Sequence, residues 1–395
     1  MKVFKILACA VLVSLIFTGC NFRIITNNLP FGNDDRNDQV EDITFEGETF
    51  EVASRDDSDG VTIEKPDSQK ENGDKVTSAG QAYNNVTEVY YAVADSVVEI
   101  TTETVEMSLF GQYISSGAGS GVIIDGSGII VTNYHVIEDA KTVIVRLTDG
   151  TEYNASLVGY DEGHDIAVIK IVPKSTLTVA SLGCSADLEV GEDVIALGNP
   201  LGTLGGTLTT GIISAKERKI VVGNSEMVLL QTNAAINPGN SGGGLFNMAG
   251  QLIGIVNAKI ADEGIEGLGF AIPIDVAYSV ISDLVEYGYV RGIADDGLTT
   301  IDVRNATAAY KYGVSFLGTI IIESKFTNEL QYGDCITAVN GKEIESSEDI
   351  EIILRSCEVG DEITVTVVRK ENGKNVQKSV NIKLQEKIPD SVQFN

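Results

Sequence analysis

Asn237-Pro238-Gly239-Asn240-Ser241-Gly242-Gly243-Gly244 is a turn that few other residue types could make. Pro238 and the glycines permit a tight backbone whose successive N–H groups point into one concavity, with Ser241 at its centre. That geometry stabilises an oxyanion. Alone, such a stretch is equally an ordinary loop or an anion nest, so its meaning depends on what the rest of the chain supplies. Hydrolysis at neutral pH needs, besides a hydroxyl or thiol, an adjacent base and a group that orients the base.

Two histidines are available, His135 and His164. His135 lies in Thr132-Asn133-Tyr134-His135-Val136-Ile137, just after the apolar run Gly128 to Thr132, where a strand end presents a side chain rigidly. By itself a lone histidine is equally a hydrogen-bonded core residue. His164 ends the polar turn Asp161-Glu162-Gly163-His164. Asp165 opens the apolar run Ile166-Ala167-Val168-Ile169, so its carboxylate can be buried and aimed at His135, and Asp161 on the more polar loop is the competing choice. The order His135, Asp165, Ser241 is that of chymotrypsin-like enzymes rather than of subtilisin or the α/β-hydrolases.

Around these residues the chain reads as short β runs separated by Gly, Asp and Asn turns: Gly121 to Asp125, Gly128 to Thr132, Thr142 to Leu147, Ile166 to Ile171, Asp193 to Leu197, Val228 to Thr232 and Leu252 to Val256. That cadence indicates a sandwich or barrel. Val86, Val89, Val93 and Val97 recur at helical spacing ahead of the first strand. Asp275 reads as the cap of a helix whose Val276, Val280, Ile281, Leu284 and Val285 share one face, closing a first folded domain near residue 290.

Thr132-Asn133-Tyr134-His135-Val136, His164-Asp165-Ile166-Ala167-Val168-Ile169-Lys170, Gly198-Asn199-Pro200, Thr210-Gly211-Ile212-Ile213-Ser214, the segment Gln231 to Gly243, and Gly269-Phe270-Ala271-Ile272-Pro273 together resemble the HtrA (Deg) family of trypsin-like serine proteases. The resemblance runs from about residue 80 to 385. It implies a mainly β chain: a chymotrypsin-like double β-barrel protease domain over 80–290, then a PDZ-like α+β module over 295–386. It also implies a homotrimer joined through the N-terminal part of the protease domain, with Tyr83, Tyr90 and Tyr91 as interface aromatics or, equally, core tyrosines. His135, Asp165 and Ser241 are the implied catalytic residues, and the backbone amides of Gly239 and Ser241 the oxyanion donors. Gly244 stands where the family often carries Pro or Ala.

In trypsin-like folds the base of the primary pocket lies six positions before the nucleophile, which is Ala235 here, followed by Ile236. No carboxylate waits there to pair a buried Lys or Arg. The pocket is therefore expected to take small or medium aliphatic side chains, which unfolded or misfolded proteins expose.

The C-terminal unit is similar to PDZ domains in Gly318-Thr319-Ile320-Ile321-Ile322, Tyr332-Gly333-Asp334-Cys335-Ile336-Thr337-Ala338-Val339-Asn340-Gly341 and Gly360-Asp361-Glu362-Ile363. Strands are expected at Thr319 to Ile322, Asp334 to Val339, Glu362 to Arg369 and Ser379 to Leu384, with a helix from Ser347 turning Ile350, Ile353 and Leu354 inward. PDZ domains capture a C-terminal peptide by adding a strand and holding its carboxylate on backbone amides. The corresponding loop is Gly297-Leu298-Thr299-Thr300-Ile301, without its usual second glycine.

The 395 residues hold 28 Lys+Arg against 57 Asp+Glu, a formal charge of −29 that repels nucleic acid. Lys2 and Lys5 precede the apolar run Ile6 to Phe17, which ends at Thr18-Gly19-Cys20. Residues 1–19 thus read as a lipoprotein signal peptide, too short to span a membrane, with Cys20 lipidated and the protein held on the extracytoplasmic face. Residues 20–79 are rich in Asp, Glu, Asn, Ser and Gly and read as a disordered acidic tether. Of 5 Cys, Cys184, Cys335 and Cys357 remain in the folded part, with no zinc spacing; free thiols are expected, a Cys335–Cys357 bridge being the alternative. No metal or organic cofactor is implied. The function that the resemblance implies is a serine endopeptidase of protein quality control, its rivals a chaperone or a PDZ-centred sensing scaffold.

Overall fold

The computed structural model describes residues 63, 83–108, 111–199, 206–222, 225–259 and 268–389. They belong to one compact unit of the chain, Glu48–Asn395. The leader, Cys20 and nearly all of the acidic segment lie outside the described residues. Ile63, inside that segment, is buried against the core, and its carbonyl accepts from the Tyr278 hydroxyl at 3.4 Å.

Helix α1, Val86–Val93, starts where the Asn85 side chain accepts the Glu88 N–H at 3.1 Å. Its Val89 and Val93, one turn apart, are buried. Seven strands follow: β1 Val97–Ser108, β2 Gly111–Asp125, β3 Ile129–Thr132, β4 Thr142–Arg146, β5 Glu152–Asn154, β6 Ser156–Asp161 and β7 Ile166–Lys170, with the one-turn helix α2, Tyr134–Ile137, between β3 and β4. They form an antiparallel sheet in the order β5-β4-β1-β2-β3-β7-β6. The second sheet contains β8 Ser181–Leu182, β9 Asp193–Gly198, β10 Thr207–Val222, β11 Ser225–Thr232, β12 Gly244–Asn247, β13 Gln251–Asn257 and β14 Gly269–Pro273. Its order is β12-β9-β10-β11-β14-β13-β8, and an extra β12–β13 pairing closes six of these strands into a barrel.

Between the two sheets lies the largest apolar cluster. Val122, Val131 and Ile166 from the first sheet meet Ile195, Leu229, Phe246 and Ile255 from the second. Helix α3, Ile274–Tyr287, seals this cluster with Ala277, Val280, Ile281 and Leu284, each large side chain contributing about 1.5–3 kcal/mol by burial. Its N-cap is Pro273, not the expected Asp275. Asp275 sits inside the first turn, and its Oδ2 accepts from Ser185 Oγ at 2.5 Å and Ala186 N at 2.8 Å. The carboxylate therefore ties the helix start to a neighbouring loop instead of capping its own amides. Gly288 ends the helix at φ 79°, a left-handed conformation open to glycine without steric penalty.

The C-terminal unit comprises β15 Ala294–Asp295, β16 Leu298–Val303, α4 Ala306–Tyr312, β17 Gly318–Ser324, β18 Cys335–Val339, β19 Lys342–Glu343, α5 Ser347–Leu354, β20 Glu362–Glu371, β21 Lys374–Lys383 and β22 Gln385–Glu386. Its main sheet runs β16-β17-β18-β20-β21, while β15 pairs with β22 and joins the two ends of the unit. Asn340 and Gly341, at φ 50° and 78°, make the tight β18–β19 turn. Ser346 and Asp349 form a capping box on α5, whose Ile350, Ile353 and Leu354 pack into the module's core. Cys184, Cys335 and Cys357 are free thiols. Among the described residues no helix is long and apolar enough to cross a membrane.

Candidate active site

β3 ends at Thr132, and the turn into α2 carries His135 toward the mouth of β7, where Asp165 stands. The His135 Nδ1 lies 2.7 Å from Asp165 Oδ2, and the His135 backbone N–H donates to Asp165 Oδ1 at 2.9 Å. Asp165 is buried and adopts φ 53°, a left-handed conformation that Asp tolerates better than most residues. Two asparagines that sequence reasoning did not single out hold it there. Asn257, at the end of β13, donates Nδ2 to Asp165 Oδ2 at 2.7 Å, and Asn133 Nδ2 donates to the Asp165 carbonyl at 3.0 Å. Asn133 lay inside a quoted motif; nothing local marked Asn257, which reaches the site from the other sheet.

Asp161, the competing carboxylate, is placed elsewhere. Its Oδ2 faces His164 Nδ1 at 2.5 Å and accepts the His164 N–H at 3.0 Å. The hydrogen bond that Asp161 accepts from His164 holds the His164 pKa above the usual histidine range. The turn that presents Asp165 thus carries its own His–Asp contact.

Ser241 is buried in the turn between β11 and β12, and its Oγ accepts the Ala258 N–H at 3.1 Å. Around it the amides divide into two sets. Asn240 N–H donates to the Asn237 carbonyl, Gly242 N–H to Val256 and Gly243 N–H to Asn240. The Gly239 and Ser241 amides have no hydrogen-bond partner among the described residues. Gly239 and Gly242 take φ 98° and 80°, and a Cβ on Gly242 would lie 2.2 Å from the Ser120 carbonyl and from Thr132 Oγ1. The glycine after Ser241 is therefore required both by backbone and by space. Gly244 has a different reason: a Cβ there would meet the buried Phe246 ring at 2.3 Å.

Ala235 is exposed while Ile236 is half-buried beside Gly269, where a Cβ would lie 2.5 Å from Ile236 Cγ1. In the C-terminal unit, Leu298, Thr299, Thr300 and Ile301 lie not in a loop but in β16, an edge strand of the sheet with α5 alongside. The turn is Asp295–Gly297 just before it, where Asp295 Oδ1 accepts the Gly297 N–H at 3.1 Å and Asp296 Oδ1 the Leu298 N–H at 2.9 Å. Burial pushes the Asp296 carboxyl up to about 6. A carboxyl whose pKa is higher folded than unfolded binds more protons when folded, so its share of stability is full below about 4 and is lost as pH rises through about 6. Asp296→Asn is expected to stabilise the C-terminal unit by about 1–3 kcal/mol at pH 7 and to change nothing at pH 4, read by hydrogen exchange of β18 and β20.

These sheets and this constellation define a trypsin-like serine peptidase domain followed by a PDZ domain. The profile described as a trypsin-like peptidase domain matches residues 119–255, and that of a PDZ domain matches residues 290–384. The serine protease Do-like HtrA of Bacillus subtilis (strain 168) is 36% identical over 303 residues, covering 70% of this chain and 67% of that protein. The periplasmic serine endoprotease DegP of Escherichia coli (strain K12) is 38% identical over 281 residues, 69% of this chain and 58% of that protein. A serine-to-alanine form of the HtrA-type protease AlgW, solved with a decapeptide, superposes with a TM-score of 0.54 at 30% identity, covering 78% of this chain and 99% of its own. The chain belongs to the HtrA (Deg) family of serine endopeptidases.

Proposed function

We propose that this protein is an extracytoplasmic serine endopeptidase of protein quality control, tethered to the membrane through a lipidated Cys20. The protease domain extends over 80–290 and the PDZ domain over 295–386. Ser241 attacks the peptide carbonyl after its hydroxyl turns from Ala258 toward the imidazole. His135 takes the proton and later gives it to the leaving amine, while Asp165 holds the Nδ1–H tautomer and stabilises the charged ring. The Gly239 and Ser241 amides receive the oxyanion. Their freedom from other partners, together with a histidine already oriented by a buried carboxylate, is the observation that carries this reading.

Ala235 and Ile236 line a pocket without a carboxylate, favouring cleavage after small or medium aliphatic residues. Bound protein chains add a strand at β16, with the amides from Leu298 to Ile301 at the carboxylate end, and delivery to the peptidase follows. Assembly is a homotrimer through the N-terminal segment, where Tyr91 is exposed and Tyr83 and Tyr90 pack on the core. The names of DegP, a periplasmic endoprotease, and of AlgW, solved with a peptide, support the location and the peptide ligand.

A fluorophosphonate probe, with and without added C-terminal peptide, tests the chemistry. The expected result is a covalent label mapped to Ser241 and loss of casein cleavage in proportion to labelling. Cleavage that persists in fully labelled protein overturns the assignment, and undiminished protection of an unfolded client by labelled protein would favour the chaperone reading.

A further inference from the structure

Ser120, in β2 of the first sheet, is fully buried and reaches across to the second. Its Oγ donates to the Gly239 carbonyl at 2.7 Å and accepts the Asn199 N–H at 2.8 Å. Its backbone N–H donates to the Ser241 carbonyl at 2.8 Å, and its own carbonyl accepts from Thr132 Oγ1 at 2.7 Å. The direction of these bonds is not a matter of choice. A backbone N–H can only donate and a carbonyl can only accept, so Asn199 occupies a lone pair of the hydroxyl and leaves its single hydrogen for Gly239.

One residue thus grips the carbonyls on both sides of Asn240. The Gly239–Ser241 segment is thereby held at its central peptide, the plane of the Gly239 carbonyl and the Asn240 N–H, and the next plane, which bears the Ser241 N–H, is held through its Asn240 carbonyl, which accepts from the Gly243 N–H. Its Gly239 and Ser241 amides are the two left without partners among the described residues. Gly239 has φ 98° and, lacking a Cβ, would otherwise have wide rotational freedom. We propose that Ser120 is a positioning residue of the peptidase: its hydroxyl locks the Gly239–Asn240 peptide, which lies between the two that bear the Gly239 and Ser241 amides, so that the oxyanion donors are set before substrate arrives. The inference rests on the assignment of Ser241 as nucleophile and of these amides as the oxyanion site.

Preorganised donors act on the transition state and hardly on the ground state, which separates this role from simple packing. In Ser120→Ala, kcat on a peptide substrate is expected to fall about 10- to 100-fold while KM changes less than about threefold. A peptide aldehyde, whose adduct with Ser241 carries an oxyanion, is expected to lose affinity by the same factor as kcat. The matching peptide alcohol, which forms no adduct, should bind unchanged. Ser120→Cys, which keeps a weak donor, should recover part of the loss and carries the test should the alanine variant fail to fold. Ser96→Ala, another buried serine, bonded to the Val93 carbonyl at 2.6 Å, should lower the melting temperature and leave the aldehyde-to-alcohol ratio alone. An unchanged ratio in both Ser120 variants, with the fluorophosphonate still on Ser241 in the parent protein, overturns the positioning role alone. Absence of label on Ser241 in the parent protein overturns the site assignment, and this inference with it.

Discussion

Asp165→Asn is expected to leave a folded protein whose kcat for peptide hydrolysis is lower by about four orders of magnitude. The reason is a choice of tautomer. Asp165 Oδ1 accepts the His135 backbone N–H, and Oδ2 meets both His135 Nδ1 and Asn257 Nδ2. An asparagine can keep its oxygen on the backbone N–H only by placing NH2 where Oδ2 was. Asn257 can adapt, because its buried Oδ1 has no partner in the present arrangement and an amide flip would present it to the new donor. His135 can adapt only by accepting at Nδ1, which moves its proton to Nε2. Every polar group is then satisfied, and the ring has lost the lone pair that would take the Ser241 proton. Stability should therefore change by less than about 1 kcal/mol while catalysis collapses. Imidazole nitrogen NMR is a direct check, since the chain holds only 2 His. A variant that keeps more than about a tenth of parental kcat, or shows His135 still protonated at Nδ1, contradicts the account.

Much of this site was legible because its parts are compressed into short motifs. The Ser241 turn needs glycines whose φ values and close contacts no other residue meets, and such needs are visible in the chain. The strands were legible as cores but not as lengths: β2 runs from Gly111, well before the expected Gly121, because pairing with β1 supplies order where side-chain hydrophobicity does not. Helix α4 has no buried residue and so left no apolar stripe to read. β16 was hidden for the same reason, its residues being mostly half-exposed on an edge strand. Asn257 and Ser120 were illegible for a different cause. Each works across the interface between the two sheets, 92 and 119 residues from its partner, and an ordinary Asn or Ser carries no local sign of such a bond. The Asp275 cap failed because Asp suits either a cap or a first turn, and the side chain went to Ser185.

The largest stability effect is expected far from Ser241, at Arg369→Met. On β20, Arg369 donates Nε to Asp334 Oδ1 and Nη2 to Asp334 Oδ2, both at 2.7 Å, and a further Nη2 bond goes to the Glu329 carbonyl at 2.6 Å. The Asp334 side chain is 1% exposed and that of Arg369 12%, so the pair is nearly desolvated. Asp334 belongs to the Gly333-Asp334 turn before β18 and also accepts the Gln331 N–H at 2.9 Å. Methionine matches the aliphatic stem of arginine but removes the fork that pairs the carboxylate. A buried, unpaired charge then costs about 3–5 kcal/mol, a large part of the stability of a domain this size. The C-terminal unit should unfold at or near 37 °C in Arg369→Met, seen as loss of hydrogen-exchange protection in β18 and β20. Helix α3 and the two larger sheets should keep theirs, because their apolar clusters are separate from those of the C-terminal unit. Adding Asp334→Asn should restore most of the loss, since the amide oxygen still takes the Gln331 N–H and no charge is stranded. A single variant destabilised by less than about 1 kcal/mol would show that water reaches Asp334 and that the pair behaves as a surface contact. A double variant no better than the single would place the deficit in the lost Glu329 bond instead.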